Sequence, residues 1–125
     1  MSPPARTVFA FACYLFVLGL LLLLAPNTLL ALFHIPPTTE VWIRVVGMLV
    51  LFLGVYYTVA ARAECRPVLL WSARLRTSVF FFFAAFVLAG LAPAVLLVFG
   101  VIDVAGALWT FGALRKDPGA PRVAA

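Results

Sequence analysis

The chain has 125 residues, 66% of them hydrophobic and 10% charged, with a formal net charge of +5 at pH 7. A soluble domain is nearer half apolar and a quarter charged, and one this small has too little interior to hide such an excess. The composition therefore excludes a water-soluble fold and directs the surplus apolar surface to lipid.

Met1 to Arg6 is a short basic start. Thr7 to Ala25 is a 19-residue run without a charge, ended by Pro26-Asn27. A secretory signal peptide would have an apolar region of about 7–15 residues and a small-x-small cleavage site. This run is longer and ends in LLAPN, so a retained span is expected. Asn27 to Glu40 is too short to cross and carries Pro36-Pro37. It reads as a lid in the outer interface, a turn of helix first and extended chain before the prolines.

Val41 to Ala61 is the second expected span, with Trp42 and Tyr56-Tyr57 as interfacial aromatics at its two ends. Arg62 to Arg66 is a charged loop, and Pro67 suits the first turn of the next helix. The third span is expected over 68–90, the turn at Leu91-Ala92-Pro93, and the fourth span over 94–114. One transmembrane domain thus covers 1–116, with four crossings of roughly 20 residues each. Residues 117–125, rich in Pro, Gly and Ala, read as a disordered tail.

Orientation follows from charge. Arg6, the loop with Arg62 and Arg66, the following Arg74 and Arg76, and the end with Arg115, Lys116 and Arg122 hold basic residues. The other two connections hold Glu40 and His34 and no Lys or Arg. Four crossings put every basic segment on one side, as the positive-inside rule requires, whereas three or five would split them. The expected fold is an all-α integral membrane four-helix antiparallel bundle with N- and C-termini cytoplasmic. The basic residues flank apolar runs instead of forming one patch with interleaved aromatics, so nucleic acid is not an expected partner. Eight of the nine are Arg, a bias of GC-rich bacterial genomes, and the expected location is a bacterial inner membrane.

Asp103 is the sharpest candidate. It lies about ten residues into the fourth span, where an acid costs roughly 2.5–3.5 kcal/mol on insertion scales. It shares a helix face with Gly106, Ala107 and Thr110. Folding the hairpin about Leu91-Ala92 brings it within reach of Arg76, with Arg74 as a second candidate partner. Against that pairing, side chains lean toward their own helix N-terminus, which points the two apart. Arg44 is the alternative partner; it also suits pairing with Glu40 or snorkelling to the interface. Asp103 reads either as a proton-, ion- or headgroup-binding residue or as a structural pair that fixes helix register. Gly47, Gly54 and Ala61 recur at intervals of seven and give span two a small-residue face for helix packing, and Gly106 does the same for span four.

No catalytic residue, metal site or cofactor is expected. His34 is the only histidine and sits in the lid, without the several ligands a zinc or haem site gathers. Ser72, Ser78 and Thr58 have no base near them in sequence. Cys13 and Cys65 have no disulfide or metal spacing, and Cys13 reads as a small buried hydrophobe. Phe80 to Phe83 go round all sides of their helix and read as packing and lipid-facing mass.

Arg44-Val45-Val46-Gly47 at the start of span two, Gly54 followed by Tyr56-Tyr57 and the basic loop, and Asp103-Val104-Ala105-Gly106-Ala107 carry a resemblance. With these features the layout resembles the small four-span bacterial membrane proteins of the DoxX-like type. The resemblance implies an accessory role, next to a quinone-linked oxidoreductase for some members. The expected function is a structural or accessory membrane protein that binds a lipid or quinone between helices or serves as a subunit of a larger complex. The expected partners are the bilayer, such a ligand, and a partner membrane subunit or a second copy. Two alternatives stay open: a small oligomeric transporter or channel using Asp103, and a membrane enzyme acting on an isoprenoid or sterol-like lipid with Asp103, Arg76 and Tyr56 in its cavity.

Overall fold

A computed structural model describes residues 1–117; the expected tail from 118 onward lies outside the described residues. The described chain forms five helices and no strand: α1 (Pro3–Leu24), α2 (Pro26–Leu32), α3 (Trp42–Arg62), α4 (Arg66–Leu88) and α5 (Leu96–Lys116). All but α2 are long and apolar enough to cross a membrane. Large apolar side chains such as Val17, Phe52, Phe81, Phe82 and Leu108 stand exposed, a surface that water would penalise and lipid would not.

The helix ends have local causes. α1 starts four residues before the apolar run, because Ser2 caps it by accepting the Ala5 N–H at 3.3 Å, and Pro3 and Pro4 occupy a first turn that needs no N–H donors. Pro26 then ends α1 and begins α2. The helices α2, α3 and α4 all close in the same way. A left-handed residue (His34 at φ 56°, Glu64 at φ 53°, Gly90 at φ 75°) lets the next N–H reach back to Leu30, Ala60 or Phe86 at 2.9 Å. After α2 the chain runs without regular structure to the start of α3, and Asn27 Oδ1 accepts the Thr38 N–H at 2.9 Å to hold this lid.

α1 is the hub and touches each of the other four helices. It packs most extensively on α3, and α4 packs most extensively on α5. The two pairs meet through α1 and α5, while α3 touches α4 only briefly. Small residues explain the first pair. A Cβ on Gly47 would lie 2.6 Å from the Leu23 backbone nitrogen, and one on Gly19 would lie 2.9 Å from that of Leu51, so neither backbone has room for a side chain. Gly54 faces Phe16 and Ala12, and Ala61 is fully buried, so the small face of α3 packs against α1 within the chain. The buried core, built from Ala5, Val8, Phe11, Ala12 and Leu15 of α1 with Tyr57, Ala60, Ala61 and Leu69, fills the half of the molecule near Ser2 and Glu64. Two expectations change here: Cys13 is exposed on the outer face of α1, and Tyr57 turns inward while Tyr56 is 71% exposed.

Candidate functional site

Between α1, α3, α4 and α5, under the lid, lies a cavity of about 540 Å³. Ligand pockets commonly run from about 300 to 1,000 Å³. Its walls are almost wholly apolar: Leu15, Leu18 and Leu22 from α1, Val46, Val50 and Leu53 from α3, Val79 and Phe83 from α4, and Leu96 and Phe99 from α5. Leu29, Leu30, Phe33 and Ile35 roof it, and the Phe33 ring packs tilted against that of Phe99 at 5.0 Å between ring centres. The polar side chains in the lining are Tyr14, Tyr57, Arg76 and Asp103.

Arg76 is 3% exposed and anchored on one side. Its Nε donates to the Ser72 carbonyl at 3.2 Å, and its Nη2 donates to the Ser72 hydroxyl at 3.3 Å and to the Thr110 hydroxyl at 2.9 Å. The Thr110 hydroxyl lies 2.7 Å from that of Thr7, which itself donates to the Pro4 carbonyl, so α1, α4 and α5 meet in one hydrogen-bonded knot. The guanidinium sits 4.5 Å from the centre of the Phe11 ring, a cation–π geometry. A Cβ on Gly106 would come within 3.0 Å of both Nη1 and the Phe11 ring. Gly106 therefore seats the guanidinium and the Phe11 ring. Nη1 is buried and has no hydrogen-bond partner among the described residues.

Arg76 and Asp103 line the same cavity, yet they form no ion pair. Arg76 folds back one turn toward the N-terminus of α4 and spends its other N–H groups on Ser72 and Thr110, as the lean of helical side chains favours. The Asp103 carboxylate makes no hydrogen bond among the described residues, and neither do the Tyr14 and Tyr57 hydroxyls. All three remain within electrostatic range of one another or of Arg76. Arg74 and Arg44 lie apart from this site. Arg74 is exposed and lies 4.9 Å from the centre of the Trp71 ring. Arg44 donates to the Leu23 carbonyl at the end of α1 instead of pairing with Glu40 or Asp103.

Tyr14, Tyr57, Phe11, Ser72 and Thr7 join the site without having been expected there. A signal for Tyr57 existed: it lies three residues after Gly54 and four before Ala61, on the small-residue face, so helical phase turns it inward while Tyr56 turns out. Tyr14 follows Phe11 by three in the same way. A smaller groove of about 230 Å³ lies beside the cavity between α3 and α4, where those helices barely touch. Leu53, Tyr57 and Leu75 line both spaces. Taken together, the arrangement can hold an elongated apolar body with a polar end against Arg76 and Asp103. No protein-family model, no curated protein and no solved structure matches the chain.

Proposed function

We propose that the chain is a four-span antiparallel bundle of a bacterial inner membrane, with both termini cytoplasmic, and that it is an accessory protein binding one lipid-like amphiphile between its helices. The observation that carries this reading is an apolar cavity whose few polar groups include the Asp103 carboxylate and the Tyr14 and Tyr57 hydroxyls, none of them hydrogen-bonded among the described residues. Buried polar groups in proteins are nearly always satisfied, and leaving them bare in an apolar setting costs free energy. A ligand with a polar end supplies what the protein does not. The orientation is supported by contacts at one end of the bundle. The Ser2 hydroxyl and N–H both donate to the Glu64 carboxylate at 2.6 Å, and Arg66 donates to the Leu114 carbonyl at 3.0 Å. These gather the start of the chain, the α3–α4 loop and the end of α5, which carry Arg6, Arg62, Arg66, Arg115 and Lys116, on one side.

The DoxX-like resemblance points toward the same kind of lipid-soluble ligand. The thin contact between α3 and α4 favours entry of such a molecule sideways from the bilayer. The apolar walls favour binding over conduction, because a channel needs a continuous polar path. The isoprenoid-enzyme alternative is favoured by one observation, the presence of Asp103 and Tyr14 in the lining of one cavity, with Tyr57 taking the place expected for Tyr56.

Native mass spectrometry after mild detergent extraction tests the reading. The expected result is one apolar molecule bound per chain, lost in Leu18→Trp, which fills the cavity, while circular dichroism and elution volume stay those of the parent. A bare parent protein, or a bound molecule that Leu18→Trp leaves in place, refutes it.

A further inference from the structure

The cavity has a direction. Tyr14 on α1, Tyr57 on α3, Arg76 on α4 and Asp103 on α5 each stand at or next to the basic-side end of the residues their helix gives to the wall. The apolar roof lies at the other end. The groove between α3 and α4 runs the same way. It meets the cavity at Leu53, Tyr57 and Leu75, which line both, and continues to Pro67 and Val68 in the first turn of α4. Eight residues of helix separate Leu75 from Pro67, so the groove reaches about 12 Å nearer the basic face. Val68, Trp71 and Leu75 are exposed, which leaves the groove open toward lipid, and α3 and α4 touch only briefly. The lid end is fastened instead, by Phe33 on Phe99 and by the Thr38 N–H on Asn27 Oδ1.

We infer that the ligand is a lipid of the basic-side leaflet, which enters tail first through the seam between α3 and α4 and keeps its leaflet orientation when bound. This deepens the amphiphile-binding reading and rests on it, together with the orientation proposed there. A lipid in that leaflet holds its head toward the basic face and its tail toward the middle of the bilayer. The cavity and groove repeat that polarity, with apolar walls under the lid and polar side chains on the basic side. The tail moves from one apolar setting to another, and the head follows it only as far as the polar lining. A lipid of the opposite leaflet would arrive at the roof with its head against Leu29, Leu30, Phe33 and Ile35. To reach Asp103 or Tyr57 it would have to pass head first down the apolar length of the cavity, and an unpaired polar group in such a setting is costly. Leu53, Tyr57 and Leu75 stand where groove and cavity join, so their side chains gate the passage.

The test uses hexadecanol as the probe, in two photoreactive forms, with a diazirine beside the hydroxyl or at the end of the tail. The full-length protein in phosphatidylcholine vesicles is irradiated with each, and the adducts are mapped by peptide mass spectrometry. The tail-end diazirine is expected on the roof, Leu29 to Ile35, and the head-end diazirine on Tyr57 and the groove residues of α4. Exchange of bound hexadecanol for its deuterated form, followed by native mass spectrometry, then tests the route. Val68→Trp, which fills the groove without reaching the cavity, should slow exchange by about tenfold at unchanged occupancy. Asn27→Ala, which frees the lid from Thr38, should leave the rate as it is. The labelling pattern of the parent decides the matter if a variant fails to fold. A reversed labelling pattern, a parent-like rate in Val68→Trp or faster exchange in Asn27→Ala overturns the inference and leaves the cavity reading standing. Failure of both probes to label the cavity overturns both.

Discussion

Replacing Gly47 with alanine perturbs the contact that sets the spacing of α1 and α3. The added Cβ would lie 2.6 Å from the Leu23 nitrogen, 2.9 Å from the Gly19 oxygen and 2.9 Å from the Leu22 carbonyl carbon. Ordinary contact begins near 3.4 Å, so the neighbouring helix must withdraw by about 0.8 Å, and every atom it meets is backbone that no rotamer change can move. Overpacking typically costs about 1–3 kcal/mol, and a wholly backbone clash belongs at the upper end, so about 3 kcal/mol is expected. Gly54→Ala meets Phe16 at 3.3 Å and should cost under about 1 kcal/mol, since a side chain can yield. Gly112→Ala meets nothing within 4 Å and serves as the control, up to about 1 kcal/mol more stable than the parent through helix propensity, a gain that all three variants share. Reversible unfolding of the three variants in mixed micelles, titrated with a denaturing detergent, gives the ranking. If Gly47→Ala matches Gly112→Ala, the close approach of α1 and α3 is not what holds the bundle.

Thr110→Val keeps the shape of a fully buried side chain but removes its bonds to Thr7 and Arg76, so a loss of about 2 kcal/mol is expected. A cycle with Thr7→Val should show non-additivity in the same unfolding assay, and simple additivity would mean the hydroxyls do not interact. The Ser2 hydroxyl and N–H hold the Glu64 carboxylate below the usual carboxylate range. With the folded value depressed, this contribution is present above about pH 4.3, the unfolded value, and disappears as pH falls through the folded value. An exposed pair contributes under about 1 kcal/mol; Glu64→Gln should flatten that acid limb of a stability–pH curve, and an unchanged limb refutes the assignment. His34→Gly relieves a left-handed non-glycine residue and should raise the midpoint of unfolding by the equivalent of about 1 kcal/mol, whereas no gain would show that the turn is unstrained. Cys65, next to the α3–α4 turn, should react in inverted membrane vesicles and not in intact cells with a polar maleimide in a Cys13→Ser background; the opposite pattern would invert the orientation.

The four long helices were legible because apolar runs of that length have few alternatives, and their limits moved by only a few residues. What moved them was local chemistry. The Ser2-Pro3-Pro4 start is a recognisable cap that extends α1 beyond the apolar run, whereas His34 and Glu64 terminate helices in a conformation usually signalled by glycine. Only Gly90 of those three carried the signal. Asp103 announced itself as a charge in an apolar run, yet its relation to Arg76 did not follow from depth alone. The choice depended on where Arg76 spends its five N–H groups, which is a matter of three-dimensional neighbours on α5 and α1. Tyr56 and Tyr57 looked equivalent as interfacial aromatics, and only helical phase separates the lipid-facing one from the one that lines the cavity.

The cavity follows from how α1 is fastened. At the lid end, Gly19 and Gly47 draw α1 against α3 until backbones touch. At the basic end, Thr7, Thr110 and Arg76 tie α1 to α5 and α4. One helix held on two sides by contacts of such short reach cannot also fill the space between its partners, and α3 and α4 are left with only a brief contact of their own. The same knot that closes the basic end also immobilises the guanidinium, because Ser72, Thr110, Phe11 and the bare Gly106 surround it. A charge held in this way would lose little entropy on binding of the proposed ligand. Its Nη1 is sealed beneath Phe11 and Gly106, so the guanidinium acts on the chamber as a fixed positive charge, and the Asp103 carboxylate lines the same space. Substitutions in the knot should therefore weaken ligand retention as well as the bundle, while substitutions along the apolar walls should change which tail fits and leave the polar end intact.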